Sequence, residues 1–413
     1  MFLHLDINAY FATLLQQETP ALRGRPLGIL KSLGRSCVIA ASKEAKLKGV
    51  KTGSSLVSAR ARCPELLAVP ADFDLYLAAT IKLKKMFASI SPDVEIFSLD
   101  ESFIPFASIK NMYKTPEILA HQLQDRVRST LGEWVTCNVG IAPTRFLAKM
   151  AGETAPKGSV TSVSADETAG LLARTTFGDV CGIGPRLARR LAMLGVTMPY
   201  QINFVPEETL VRWFGPFWSV ELKKMATGQE PSFLERSSSQ IHQAKSVGRS
   251  TTLFQLATQE HTVKRILYNL CTEVMYKVRT QHLAGRLIGV SLSGHDRVWA
   301  RRVTLKHAIT HTSELYGEIS KLYQVSRPTF PVIRFAVYLS LLSSDSPFQY
   351  SLLPEWRQAE RIETALDAIN NKYGLYTVRS GLLATDPVLQ PQVTGFLGDK
   401  AYQLTTDQEI WGE

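Results

Sequence analysis

The chain reads as an α+β protein of several domains. Three observations predict this: a length of 413 residues, strands and helices in mixed order with short connections, and a basic surplus confined to one stretch. Single hydrophobic cores stop growing at about 250–300 residues, so two to four domains are expected. Hydrophobic residues are 45% and charged residues 20% of the chain, ordinary values for a protein that buries a core. No apolar run reaches the roughly 18 residues of a membrane span. The opening MFLHLDINAYF lacks a basic leader and a small-residue cleavage site, so a cytoplasmic protein without a membrane anchor is expected. Cys37, Cys63, Cys137, Cys181 and Cys271 are scattered and never in CxxC spacing, which predicts reduced thiols.

The elements follow in order. FLHLDINAYFATLLQQ reads as an apolar strand, a tight junction near Asn8 and a helix. RPLGIL and SCVIAAS are two further strands, and KEAKLKGV is a short helix ending at Gly49. Residues 73–90 have a helical pattern, and DVEIFSLDESFIPF reads as two strands turning at Asp100–Glu101. A long helix over 116–132, the strand WVTCNVGIA and the helix TRFLAKMAGE complete this part. Such mixed order points to an α+β sheet domain rather than a doubly wound one.

From residue 166 to 232 the pattern changes to short amphipathic helices, punctuated by Gly182, Gly184 and Gly228. The polar, serine-rich ERSSSQIHQ reads as a linker. Beyond it, KSVGRSTTLF, RLIGVSLSG, RVWARRVTL and VIRFAVYLSLL are strand candidates, with helices near 258–280 and 312–324. Between Ser237 and Arg334 there are 14 Lys/Arg against 5 Asp/Glu, so nearly all of the net charge of +10 lies there. A basic surplus held by one domain favours a polyanion, with nucleic acid the first candidate.

Asp6 closes an apolar strand, and Asp100 and Glu101 lie between two strands. A carboxylate at a buried strand end is costly unless it is paired, capped or bound to metal. Any one of them alone could be an Asx turn or a helix cap. Three acids on neighbouring strand ends could hold magnesium, which favours carboxylate and phosphate oxygens. Two such ions about 3.5–4 Å apart can hold the attacking and leaving oxygens of a phosphoryl transfer.

LDINAYFATL and SLDES resemble the first two catalytic motifs of the Y-family (translesion) DNA polymerases, the UmuC/DinB group. CVIAASKEAKLKGVKTG resembles that family's fingers, NVGIAPTRFLAKMAGETAPKG its third palm motif, and CGIGPRLARRLAMLGV its thumb hairpin. KSVGRSTTL is similar to the start of its little finger, and the resemblance runs in order over roughly residues 1–340. It implies a right-hand polymerase with a ferredoxin-like palm (1–24 and 73–165), small fingers (25–72) and a helical thumb (166–236). A linker (237–243), an α+β little finger (244–343) and a C-terminal extension (344–413) would follow.

The same resemblance implies the residue roles. Asp6, Asp100, Glu101 and the Ile7 carbonyl would bind two Mg2+ ions, for which Mn2+ could substitute. Phe11 falls at the steric-gate position, where a ring under the sugar excludes a 2′-hydroxyl, and Tyr10 would be the core aromatic beside it. Lys43, Lys46 and Lys157 would neutralise the triphosphate. Many family members carry Tyr and Arg where this chain has Lys43 and Lys46, and lysine lacks the bidentate fork of arginine.

Gly182 and Gly184 fit a helix–hairpin–helix loop, whose N–H groups and following helix N-terminus can hold a DNA phosphate. An ordinary αα-hairpin turn would need glycine equally. Arg249, Arg297, Arg301, Arg302 and Lys306 lie on strands of the basic domain. Alternation puts Arg297 and Arg301 on one face and Arg302 and Lys306 on the other, so only some of them can meet DNA. Gln349-Tyr350-Ser351-Leu352-Leu353 resembles the short peptides that tether bacterial polymerases to a sliding clamp, with Gln349, Leu352 and Leu353 as contacts. After it comes an amphipathic helix whose stripe Ile362, Leu366, Ile369 and Tyr373 is expected to pack on a core.

The expected activity is a monomeric, low-fidelity DNA polymerase that adds dNTPs to a primer on template DNA, bypasses lesions and does not proofread. A catalytically inactive relative that only recruits partners is a second reading, which the three retained acids oppose. A nucleotide cyclase is a third, and it would leave the basic domain without a role.

Overall fold

The computed structural model describes residues 1–31, 37–235, 244–344, 354–374 and 376–383. The expected linker and the peptide containing Gln349, Leu352 and Leu353 lie outside the described residues. Those described form two units, one up to residue 235 and one from residue 244.

The first unit opens with β1 (Phe2–Ile7), α1 (Tyr10–Glu18), β2 (Leu27–Leu30), β3 (Val38–Ala41), α2 (Lys43–Leu47), α3 (Leu56–Arg62) and β4 (Leu67–Pro70). It continues through α4 (Phe73–Ala88), β5 (Glu95–Ile96), β6 (Glu101–Pro105), α5 (Pro116–Leu131), β7 (Cys137–Ala142), α6 (Arg145–Thr154) and β8 (Val160–Ser162). The helices α7 (Thr168–Arg174), α8 (Pro185–Ala192) and α9 (Glu207–Ala226) close it.

The main sheet has the order β5-β6-β1-β7-β8, so β1 is its centre. Strand alternation sends Leu3, Leu5 and Ile7 to one face, where they join Leu83 and Phe87 of α4 and Leu119 and Leu123 of α5 in one core. Burying each such side chain stabilises the fold by about 2 kcal/mol. His4 and Asp6 point to the opposite face, which α6 covers. That helix rests directly on the sheet: a Cβ at Gly140 of β7 would stand 2.0 Å from the Ala148 carbonyl oxygen. The close approach is what lets side chains of α6 reach the acids.

A smaller sheet of order β3-β2-β4 pairs β2 with β3 antiparallel and with β4 in parallel. Ser42 caps α2 by accepting from the Ala45 N–H, and the same hydroxyl oxygen accepts from the Leu27 N–H at 3.0 Å. α9 is two short helices end to end, as the pattern here predicts: Gly215 takes φ +83° and breaks the first, and Pro216 opens the second.

The second unit contains β9 (Ser246–Ala257), α10 (Glu260–Thr280), β10 (Leu283–Ser293), β11 (Val298–Ile309), α11 (Thr312–Val325), β12 (Val332–Ser344) and α12 (Pro354–Tyr373). Its antiparallel sheet runs β11-β10-β12-β9 and packs one face on α10 and α11. α12 docks otherwise than its apolar stripe predicts. Ile362 is 52%, Ile369 38% and Tyr373 66% exposed. The helix attaches by its polar side, where Glu363 and Asp367 both pair with Arg279 of α10, Asp367 at 2.6 Å. Two carboxylates one turn apart fit the two edges of one guanidinium, and that geometry sets the docked face. Among the described residues no helix is long and apolar enough to cross a membrane.

Candidate active site

Asp6 lies opposite Glu101 of β6 on one side and opposite Asn138 of β7 on the other. Facing residues share a sheet face, so Glu101 and Asn138 join Asp6 on the α6 side. The Ile7 N–H donates to the Asp100 carbonyl at 3.1 Å, tying the β5–β6 turn to β1. The turn occupies residues 97–100 and Glu101 already belongs to the strand, which opens one residue earlier than the sequence suggests. Asp6, Asp100 and Glu101 therefore meet at one end of two paired strands.

Their electrostatic states differ. Burial pushes Asp6 up to about 7, with the neighbouring Asp100 and Glu101 carboxylates adding to the effect. Burial raises Asp100 as well, against a 2.6 Å hydrogen bond donated by the Ser98 hydroxyl. Glu101 goes the other way. Burial alone would raise it, but the Lys149 ammonium outweighs burial and holds it below the ordinary carboxylate range. Lys149 Nζ stands 2.9 Å from Glu101 Oε2, whereas His4 Nε2 is 3.7 Å away, too far for a hydrogen bond, so Lys149 is the main partner. Lys149 also pairs with Glu153 at 2.6 Å. Burial of the His4 ring holds its pKa below the ordinary value, so it is a neutral neighbour at pH 7.

The donor set suits a hard divalent cation. Asp6 and Asp100 are carboxylates whose mutual repulsion no lysine fully offsets, and Glu101 keeps its second oxygen for a ligand. The acids are adjacent rather than closed on one point: among the described residues no group of three or more His, Cys, Asp or Glu side chains meets metal-ligand geometry.

Lys46 and Lys157 fall within electrostatic reach of this cluster. The Lys46 pKa is lowered by the protein around it and by Lys157, and raised by Asp6 and Asp100. Its surface remains open to solvent even though protein mass surrounds it. Lys43, at the start of α2, is exposed. Phe11 is 7% exposed and stacks on Tyr76 with ring centroids 4.2 Å apart. Tyr10 is buried as expected and donates to the Tyr76 carbonyl at 2.8 Å.

Gly182 takes φ +88°, and a Cβ there would meet the Phe233 ring at 2.5 Å. Gly184 is the N-cap of α8, with open space where a Cβ would be. In the second unit, the β11 register separates the basic residues. Arg301 faces Val290 on the helix-covered side, and its guanidinium reaches the Ser326 hydroxyl at 3.1 Å. Arg302 faces Gly289 on the open side, which alternation gives to Lys306 as well. Arg249 needs a correction. It is 3% exposed, and its guanidinium lies 3.4 Å from buried Glu273. A charge buried in this way is retained by its partner and is not offered to DNA.

Sequence reasoning missed Lys149, His4, Ser98 and Asn138. Lys149 and Glu153 stand four residues apart on a helix, a pairing signal that the sequence does contain.

Residues 5–153 match the impB/mucB/samB family, and residues 244–352 match the C-terminal domain of the same family. Together the two segments cover more than half of the chain. A DNA polymerase IV of Moorella thermoacetica is 29% identical over 374 residues, spanning 89% of this chain and 92% of that protein. A solved Y-family DNA polymerase chimera of Dbh and Dpo4 covers 82% of this chain and 98% of its own at 21% identity, with a TM-score of 0.69. An insertion ternary complex of Dbh DNA polymerase matches over the same shares at 22% identity, with a TM-score of 0.54.

Proposed function

Because this chain belongs to the Y-family of DNA polymerases, in the impB/mucB/samB group, we propose that it adds dNTPs to a primer 3′ end on template DNA. It does so at low fidelity, without proofreading, in lesion bypass. One observation carries the catalytic assignment: β1 and β6 bring Asp6, Asp100 and Glu101 together, with the first two held above the ordinary carboxylate range.

Two Mg2+ ions, or Mn2+ in their place, would be held by Asp6, Asp100, Glu101 and the Ile7 carbonyl. Bound there, the ions supply the positive charge that aligns the 3′ oxygen with the triphosphate for in-line displacement. Lys46 and Lys157 take the triphosphate's remaining charge, and Phe11 sets the floor beneath the sugar. Lys43, exposed at the start of the same helix, would add to that charge. The domain roles follow the family plan: palm 1–24 and 73–165, fingers 25–72, thumb 166–236 and little finger 244–343.

Primer–template DNA is held by the Gly182–Gly184 loop with the α8 N-terminus, and by the open sheet face that carries Arg302 and Lys306. Arg301, on the other side of its strand, is positioned for the edge of that interface at most. The protein acts as a monomer in the cytoplasm at the nucleoid. Gln349, Leu352 and Leu353 tether it to a sliding clamp.

Primer extension tests the catalytic reading. Asp100→Ala and Glu101→Ala should each abolish incorporation while primer–template binding stays nearly intact. Near-normal extension by either variant would remove the acids from the reaction and restore the reading of a non-catalytic binding protein.

A further inference from the structure

Lys157 sits on an exposed turn. The Ser159 N–H donates to the Pro156 carbonyl at 3.3 Å, the Ser159 hydroxyl donates to the same oxygen at 2.7 Å, and Gly158 takes φ +83°. This is the pattern of a type II turn, with Lys157 at the second position and the obligatory glycine at the third. A turn closed only by these bonds would leave a long, flexible lysine loosely aimed.

Here the turn is fastened from beneath by two buried amides. Asn138 of β7, 1% exposed, accepts the Gly158 N–H on Oδ1 at 2.7 Å. Its Nδ2 donates to the Gly152 carbonyl at 2.7 Å and to the Ala155 carbonyl at 3.5 Å, holding the end of α6 as well. Gln124 of α5 donates to the Gly158 carbonyl at 2.9 Å and to the Cys137 carbonyl at 3.0 Å. Both backbone groups of Gly158 are thus bound by side chains from the sheet and from the helix behind it. Asn138 is also the residue directly across from Asp6 in the β1–β7 pairing.

We propose that Asn138, assisted by Gln124, is a positioning residue that fixes the Lys157 turn relative to Asp6 and so sets the grip on the incoming triphosphate. This inference rests on the reading of Lys157 as a triphosphate ligand. One rigid strand carries an acid's neighbour and anchors the lysine's turn, so the two ends of the nucleotide site are held by a single element. Displacing a binding group by about 1 Å can cost a large factor in rate even when every group that touches substrate is still present.

A double-mutant cycle on the full chain tests it, with single-nucleotide incorporation on a primer–template as the readout. Lys157→Ala should lower kcat/KM for dNTP by about tenfold or more, mainly through KM, the scale of one charge-assisted hydrogen bond. Asn138→Ala should give a reduction of similar kind. The double variant should be no worse than Lys157→Ala within about twofold, because both changes remove one function. Asn138→Ser, whose hydroxyl retains hydrogen-bonding capacity, should recover part of the activity. Primer–template affinity should be unchanged throughout.

Reductions that multiply in the double variant would overturn the positioning role, since Asn138 would then act independently of Lys157. If Asn138→Ala does not fold, Gln124→Ala and Asn138→Ser run the same cycle with the same deciding outcomes. A wild-type kcat/KM in Lys157→Ala would instead overturn the triphosphate reading, and the inference with it. The two failures are distinguished because Lys157→Ala is silent only in the second.

Discussion

Lys149 Nζ lies 2.9 Å from Glu101 Oε2 and on its other side 2.6 Å from Glu153 Oε1, so one buried ammonium holds an acid of the site against a helix. Lys149→Met should leave Glu101 buried without its cation. Breaking such a pair costs about 3 kcal/mol or more. Denaturant unfolding should show that destabilisation, and incorporation should fall steeply as Glu101 loses its fixed orientation. Unchanged stability and rate would mean that the neighbouring His4 ring suffices to hold the acid.

The raised pKa of Asp6 makes the metal-free protein sensitive to pH. Its folded value of about 7 exceeds the ordinary 3.8, so the neutral form is the one the fold favours. The stabilisation is full below 3.8 and is lost as pH rises through about 7. Asp100 and Glu101 reinforce this rise, and Lys149 and Lys157 oppose it. Melting temperature without metal should therefore decline from mildly acidic to mildly alkaline pH, and Asp6→Asn should flatten the decline. Mg2+ should raise the melting temperature more at pH 8 than at pH 6, because binding requires the ionised form. An equal metal effect at both values would place the cation away from Asp6.

Phe11 stacks on Tyr76, and that stacking gives its ring a fixed plane. Phe11→Ala should raise ribonucleotide use relative to deoxynucleotide use by about tenfold or more, the scale set by one steric clash in a pocket. Paired dNTP and rNTP kinetics would measure it. Truncation of a buried ring also costs about 3 kcal/mol. A lowered melting temperature with sugar selection unchanged would make Phe11 a core residue only.

Arg249 and Arg302 should fail in opposite ways. Arg249→Ala removes the buried cation beside Glu273, which keeps only neutral donors such as Asn269 and Tyr376, so it should destabilise the second unit by about 3 kcal/mol or more, seen in thermal or denaturant unfolding. Arg302→Ala and Lys306→Ala should leave stability unchanged and weaken primer–template binding. Each phosphate that a variant no longer neutralises should reduce the slope of log affinity against log salt by about 0.9. A reduced salt slope in Arg249→Ala with normal stability would reverse the assignment.

Much of this protein was legible without coordinates. The strand of Leu3, Leu5 and Ile7 with Asp6 at its end follows from alternation alone, a local property that any chain with this pattern expresses. The grouping of Asp6 with Asp100 and Glu101 was legible first from acids at neighbouring strand ends and then from the ordered motifs. The four strands and first two helices of the basic unit also lie where the periodicity places them. Less visible were features decided between distant segments. Parallel pairing of β2 with β4 and of β7 with β8 joins strands that sequence patterns cannot match to each other.

Residue order along the chain dictates which side chains stand at the strand ends and how charge divides between the two units. Which of those charges are available was settled by packing. Arg249 and Arg302 look alike in a basic strand pattern, yet one is buried on Glu273 and the other lies on the open face. Lys149 became part of the site because glycine at 140 lets α6 sit on the sheet. Ile362 and Tyr373 stayed outside because Arg279 turned the polar side of α12 inward. Hydrophobic periodicity is a one-dimensional property that each segment carries alone. The cost of burying a charge depends on a partner that only folding brings within about 4 Å.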